Sequence, residues 1–198
     1  MALATISDEA LIQEFQGGSR EAFEQLFARY RGPLYGFFCR RLYGDERADD
    51  LTQETFLAVI RSIRHYEPRA SVRTYLYSIA MNVLAAERRR RHRDSPPGCP
   101  SPEPSTNTTP DAALWVRQAL ANLDEEEREI LMLREYEQLS YAEIAELLEL
   151  PLNTVRSRLF RARMALKDLL VPERKVNGVE AASEVESVKL APAEGEAL

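Results

Sequence analysis

Residues 94–110 read DSPPGCPSPEPSTNTTP, and no packed helix can run through them. Proline lacks a backbone N–H and clashes with the preceding helical turn, so the six prolines of this stretch rule out a continuous helix across it. The stretch therefore reads as an extended linker between two domains. Of the chain's 198 residues, 1–93 form the first expected domain and 111–171 the second, sizes at which a small core is feasible. Residues 172–198 carry scattered acids, few large apolar side chains and no aromatic, the composition of a disordered tail.

Both units read as all-α. In the first, Ser7 or Asp8 caps a helix to about Gln16, Gly17-Gly18 ends it, and Ser19 caps a second with Phe23, Leu26, Phe27 and Tyr30 at helical spacing. A third has Leu51, Thr55, Val59 and Ser62 along one line, with Phe56, Ile60 and Ile63 beside it. The fourth runs from Val72 to Arg89 or beyond, with Val72, Tyr75, Leu76, Ile79, Val83 and Ala86 as its apolar stripe. After the linker, Asp111 to Leu120 makes an entry helix, and Asp124 with Glu127 caps one ending near Gln138. Ser140-Tyr141-Ala142-Glu143 is a capping box that opens a short helix to about Leu148. Glu149-Leu150-Pro151 breaks that helix, and Asn153 or Thr154 opens a last one to about Leu170. A short helix, a tight turn and a basic second helix have the form of a DNA-reading helix-turn-helix.

The net charge of −6 argues against a polyanionic partner, but its distribution argues the reverse. Arg69 to Arg93 holds seven arginines against the single acid Glu87, and Asn153 to Lys167 holds five basic residues and no acid. Cys39 and Cys99 stand far apart, with no CxxC pair and no histidine at ligand spacing, which argues against a disulfide framework or a metal site. His65 and His92 are isolated, so no nucleophile-base set is visible, no cofactor is implied and catalysis is not expected. No apolar run approaches the roughly 18 residues of a membrane helix, and Met1 to Gln13 has no basic residue ahead of an apolar run. Membrane insertion is not expected, and the chain is placed in the cytoplasm.

Three constellations carry function. On the last helix, Val155, Leu159, Ala162 and Leu166 form a core-facing stripe, which turns Arg156, Ser157, Phe160, Arg161 and Arg163 outward. Arginine can grip guanine O6 and N7 or a phosphate, although a solvated basic face would give the same pattern. On the fourth helix, Tyr75 and Tyr77 lie among Arg69, Arg73 and Asn82, just before Arg88 to Arg91, an arrangement suited to stacking unpaired bases. The third, Asp49 to Phe56, is an acidic helix start that helix electrostatics alone would explain and that a protein-docking surface would equally produce.

The strings DDLTQETF with LAVIRSI, VRTYLYSIAMNV with its arginine cluster, and LSYAEIAELLELPLNTVRSRLFRARMAL resemble three regions of the extracytoplasmic-function (ECF) sigma factors, in that family's order. The resemblance implies a non-enzymatic specificity subunit of RNA polymerase that recognises minus-10 and minus-35 promoter elements. It implies core polymerase, through its β′ clamp and β flap, and promoter DNA as partners, with an anti-sigma factor a further candidate. By it, Asp50, Leu51, Gln53, Glu54 and Phe56 bind core polymerase. Arg69, Ser71, Arg73, Tyr75, Asn82, Arg88 and Arg89 meet minus-10 DNA, and Asn153, Thr154, Arg156, Ser157, Phe160, Arg161 and Arg163 meet minus-35 DNA. Two positions depart from the pattern: Tyr75 stands where tryptophan is common, and Glu149 where the turn usually has glycine. A left-handed backbone at Glu149 would cost about 1 kcal/mol or more.

Two other classes fit parts of the sequence. A helix-turn-helix regulator that dimerises through its first domain would bind duplex operators without polymerase. An enzyme acting on nucleic acid would need a metal or acid-base set, which the sequence does not display.

Overall fold

The computed structural model describes residues 6–42, 47–67, 71–94 and 111–170, whose regular structure is helical throughout. Arg69, Cys99, most of the linker and all of the tail lie outside the described residues.

Helix α1, Asp8–Gln16, opens on Ser7, whose Oγ accepts the Ala10 N–H at 3.2 Å. It ends where Gly18 adopts φ +99°, and the Ser19 N–H closes on the Glu14 carbonyl at 3.0 Å. The Gln16 amide donates to the carbonyls of Ile63 and Tyr66, each at 2.9 Å, and so clips α1 to the 3-10 turn Ile63–His65. Helix α2, Arg20–Leu42, continues past Pro33, which sits on its exposed side, and buries Leu26, Leu34, Phe37 and Phe38.

Helix α3, Ala48–Ser62, buries Leu51, Thr52, Thr55, Phe56 and Val59. The two threonines can be buried because each hydroxyl donates to the carbonyl four residues earlier, at 2.7 Å. Ile60, expected near the buried line, is exposed. Helix α4, Val72–Asp94, opens on Ser71, whose Oγ accepts the Thr74 N–H at 3.1 Å. Its buried stripe is Val72, Leu76, Ala80 and Leu84, while Ile79 and Val83 are half-buried and Ala86 is exposed. The stripe is thus rotated from the expected one, because α4 packs against α3 on one side and the second domain on another.

The second domain consists of α5, Asp111–Ala121, α6, Glu125–Glu135, α7, Tyr141–Leu147, and α8, Leu152–Leu170. Its buried residues Ile130, Leu133, Leu139, Ile144, Val155, Leu159 and Ala162 belong to one apolar cluster that continues into the helices before the linker. The capping box forms as read: Ser140 Oγ accepts the Glu143 N–H at 3.2 Å, and Glu143 Oε2 accepts the Ser140 N–H at 2.8 Å. Helix α6 stops before the expected Gln138, which has a left-handed φ of 54°.

Candidate nucleic-acid and polymerase interfaces

Helix α8 presents the expected face. Val155, Leu159 and Ala162 are buried, and Asn153, Arg156, Ser157, Phe160, Arg161 and Arg163 are exposed, with Phe160 66% accessible. Thr154 is half-buried, and its carbonyl accepts from Ser157 Oγ at 3.0 Å. Arg161 Nε donates to Glu127 Oε1 and Arg163 Nη2 to Glu135 Oε1, each at 2.7 Å. Both arginines therefore lean back on α6, while Arg156 reaches only Asn153 of its own helix, at 3.5 Å. Exposed ion pairs of this kind are worth about 0–1 kcal/mol, so a phosphate or a base edge can replace the acid.

The candidates on α4 divide. Asn82 and Arg89 are exposed, and Arg88 Nη1 lies 3.4 Å from Glu125 of the second domain. Ser71 Oγ donates to Glu143 Oε1 at 2.7 Å, again across to the second domain. Burial pushes the Glu143 carboxyl up, but the hydrogen bonds of Ser140 and Ser71 outweigh it and hold the group below the usual carboxylate range. Arg73 lies against Tyr30, whose hydroxyl donates to Asp8.

The two-tyrosine platform is not assembled. Tyr77 is 2% exposed and donates to Glu137 Oε2 at 3.1 Å, so it faces the second domain. Tyr75 is half-buried, 2.6 Å from Ser62 Oγ and with its ring centroid 4.7 Å from that of Tyr66. An aromatic on the packed side of a helix lowers its free energy by burial, which competes with presenting a face to a base.

On α3, Asp50, Gln53 and Glu54 are exposed and Leu51 and Phe56 are buried. The last two therefore hold the helix in place: Phe56 packs its ring 4.7 Å from Phe27 and 6.1 Å from Phe23. The exposed apolar residues of this face are Leu57 and Ile60, which sequence reading missed as surface. Their signal was there, because 50, 53, 57 and 60 follow one line of the helix. Arg47 ties the acidic start down, bonding Asp50 Oδ2 at 2.8 Å and both Glu87 oxygens at 3.3 Å. Among the described residues no group of His, Cys, Asp and Glu is placed to hold a metal ion, and no helix is long and apolar enough to cross a membrane.

The family profile Sigma-70 region 2 matches residues 26–94, and Sigma-70, region 4 matches residues 113–166. The RNA polymerase sigma-H factor of Pseudomonas aeruginosa is 31% identical over 182 residues, covering 83% of this chain and 94% of that protein. The ECF RNA polymerase sigma-E factor of Haemophilus influenzae is 31% identical over 184 residues, covering 84% of this chain and 97% of its own length. The chain belongs to the ECF family of RNA polymerase sigma factors. A solved structure of CnrH in complex with the cytosolic domain of CnrY has the same fold, with a TM-score of 0.62 and 26% identity over 82% of this chain and 96% of that one. This sigma factor is thus a non-catalytic specificity subunit for promoter-directed transcription initiation. Its α1–α4 unit carries the region 2 match and its α5–α8 unit the region 4 match.

Proposed function

We propose that this sigma factor divides its work among three surfaces. Helix α8 enters the major groove at minus 35, with Arg156, Ser157, Phe160 and Arg161 toward base edges and Arg163 toward phosphate. The far side of α4, with Asn82 and Arg89, receives the separated strand at minus 10, and Arg88 and Ser71 join it once the second domain moves away. The α3 face of Asp50, Gln53, Glu54, Leu57 and Ile60 docks on the β′ clamp, and the second domain meets the β flap. These encounters take place in the cytoplasm, and the CnrH–CnrY complex supports a further protein partner that captures the chain. The observation that carries the reading is α8: Arg156, Arg161 and Arg163 stand exposed on a helix whose opposite face is fixed in a core.

Footprinting of the holoenzyme on a promoter tests it. Protection at minus 35 is expected together with permanganate reactivity at minus 10, and Asn82→Ala should reduce the reactivity more than the protection, because unpaired bases exist only after melting. Wild-type reactivity in the Asn82→Ala holoenzyme would remove α4 from the minus-10 contact.

A further inference from the structure

Acids of α6 meet Arg158, Arg161 and Arg163 of α8, and the contacts differ in kind. Arg158 Nη2 lies 2.7 Å from Glu126 Oε2, and Glu135 Oε1 accepts from both Nε and Nη2 of Arg163, at 3.3 and 2.7 Å. Arg161 gives Glu127 its Nε–H, at 2.7 Å. A guanidinium holds its N–H groups in one rigid plane, and this bond uses only the inner one. The terminal Nη1 and Nη2 form the outer fork, which matches guanine O6 and N7. Glu127 is the third residue after the α6 cap Asp124, where the acid of a capping box would turn back on the cap, as Glu143 does at α7. The Asp124 side chain makes no cap bond, and the Glu127 carboxylate crosses to α8 instead. Its side chain is 17% exposed against 61% for that of Arg161, so the acid is set into the domain while the guanidinium it holds faces outward.

We propose that Glu127 is a positioning residue for minus-35 recognition: it fixes the plane and reach of the Arg161 guanidinium before DNA arrives and stays bonded while the outer fork reads a base. The proposal rests on the reading that Arg161 meets a base edge. A base can take the place of a surface acid, but at Arg161 it need not, because the bond to Glu127 leaves the outer fork to it. An unanchored arginine loses side-chain freedom when it grips its own base and keeps that freedom at a wrong base, where it forms no bond. Anchoring therefore raises the ratio between the two. The same acid opposes DNA of any sequence by repelling phosphates. Two substitutions separate these effects: glutamine removes the charge and keeps a carbonyl acceptor of the same reach, whereas alanine removes both.

The test is transcription of a randomised minus-35 library by holoenzymes carrying Arg161→Ala, Glu127→Ala, Glu127→Gln and the Glu127→Ala, Arg161→Ala double variant. Arg161→Ala marks the position that this arginine reads. At that position Glu127→Ala should lower the preference about two- to tenfold, the cost of fixing one long side chain, while Glu127→Gln keeps most of it. Loss of repulsion alone calls for another pattern, stronger use of all sequences by both Glu127 variants with no change in preference. The double variant should be no looser than Arg161→Ala, because the acid acts through the arginine. The preference is a ratio within one holoenzyme, so a difference in the amount of folded variant does not move it. The positioning role is overturned, and the reading of α8 stands, if Arg161→Ala relaxes a position that Glu127→Ala leaves intact or that Glu127→Gln relaxes as much as Glu127→Ala does. It is overturned equally if Glu127→Ala loosens the Arg161→Ala background further. If Arg161→Ala relaxes no position, both fall together.

Discussion

Glu149 holds a backbone conformation that L-residues avoid, with φ 53°, at the turn between α7 and α8. The turn is a Schellman closure: the Leu150 N–H bonds the Ala145 carbonyl at 2.9 Å and the Glu149 N–H bonds Glu146 at 3.3 Å. The same pair of bonds ends α1, from Ser19 to Glu14 at 3.0 Å and from Gly18 to Phe15 at 2.9 Å, with glycine in the left-handed position. A side chain there costs about 1–2 kcal/mol, and the greater freedom of glycine in the unfolded chain takes back part of that. Glu149→Gly should therefore stabilise the second domain by about 1 kcal/mol, which for a domain of roughly 60–100 residues raises the midpoint by about 4–8 °C. Trp115 is the sole tryptophan and lies in α5, so its fluorescence follows this domain during a thermal melt. Glu149→Ala keeps the Cβ and should stay within about 0.5 kcal/mol of the parent, as exposed substitutions do. A glycine variant no more stable than the alanine variant would refute the reasoning.

Reversing Asp50 and Glu54 to lysine should weaken capture of core polymerase while leaving the helical spectrum intact; unchanged capture by a folded double variant would remove α3 from the docking surface. In a randomised minus-35 library, Arg156→Ala or Arg161→Ala should each cost roughly 1–3 kcal/mol and relax one position, whereas Arg163→Ala should weaken all sequences alike. No shift in preference for any of the three would mean that the reading face is elsewhere. Burial pushes the Glu87 carboxyl up, but hydrogen bonds from Arg47 and Arg91 prevail and hold it below the usual carboxylate range. Its stabilisation is therefore present above the unfolded pKa of about 4.3 and is lost as pH falls through the lower folded value. Glu87→Gln should accordingly be less stable than the parent in denaturant melts at neutral pH, with the gap closing below about pH 4; a gap constant with pH would exclude the ionic origin.

The second domain was legible because its signals are local. The Ser140–Glu143 capping box and the stripe of Val155, Leu159 and Ala162 each follow from spacing within one helix, and the same spacing turned Arg156 and Arg161 outward. Helix α4 was legible as a helix but not in its orientation. Its expected stripe assumed one packed side, whereas Tyr77 is buried by a carboxylate sixty residues away in sequence. Glu87 looked like a stray acid in an arginine run, and only the fold brings Arg47 to it. Pairings such as Arg40 with Glu137 leave no periodic trace, because any of many surface charges could have supplied them. The separation of Leu51 and Phe56 from Asp50, Gln53 and Glu54 followed from helical geometry once the buried line was fixed. A string likeness does not carry that distinction.

Transcription of a genomic promoter library by core polymerase with and without the purified chain tests the central claim most directly. The account calls for initiation at a subset of promoters that core alone ignores, sharing a minus-10 and a minus-35 element, with the minus-35 dependence lost in the Arg156→Ala, Arg161→Ala double variant. Transcription that is no more selective with the chain than without it, or sequence-specific duplex binding by the chain alone with no effect on polymerase, would contradict it.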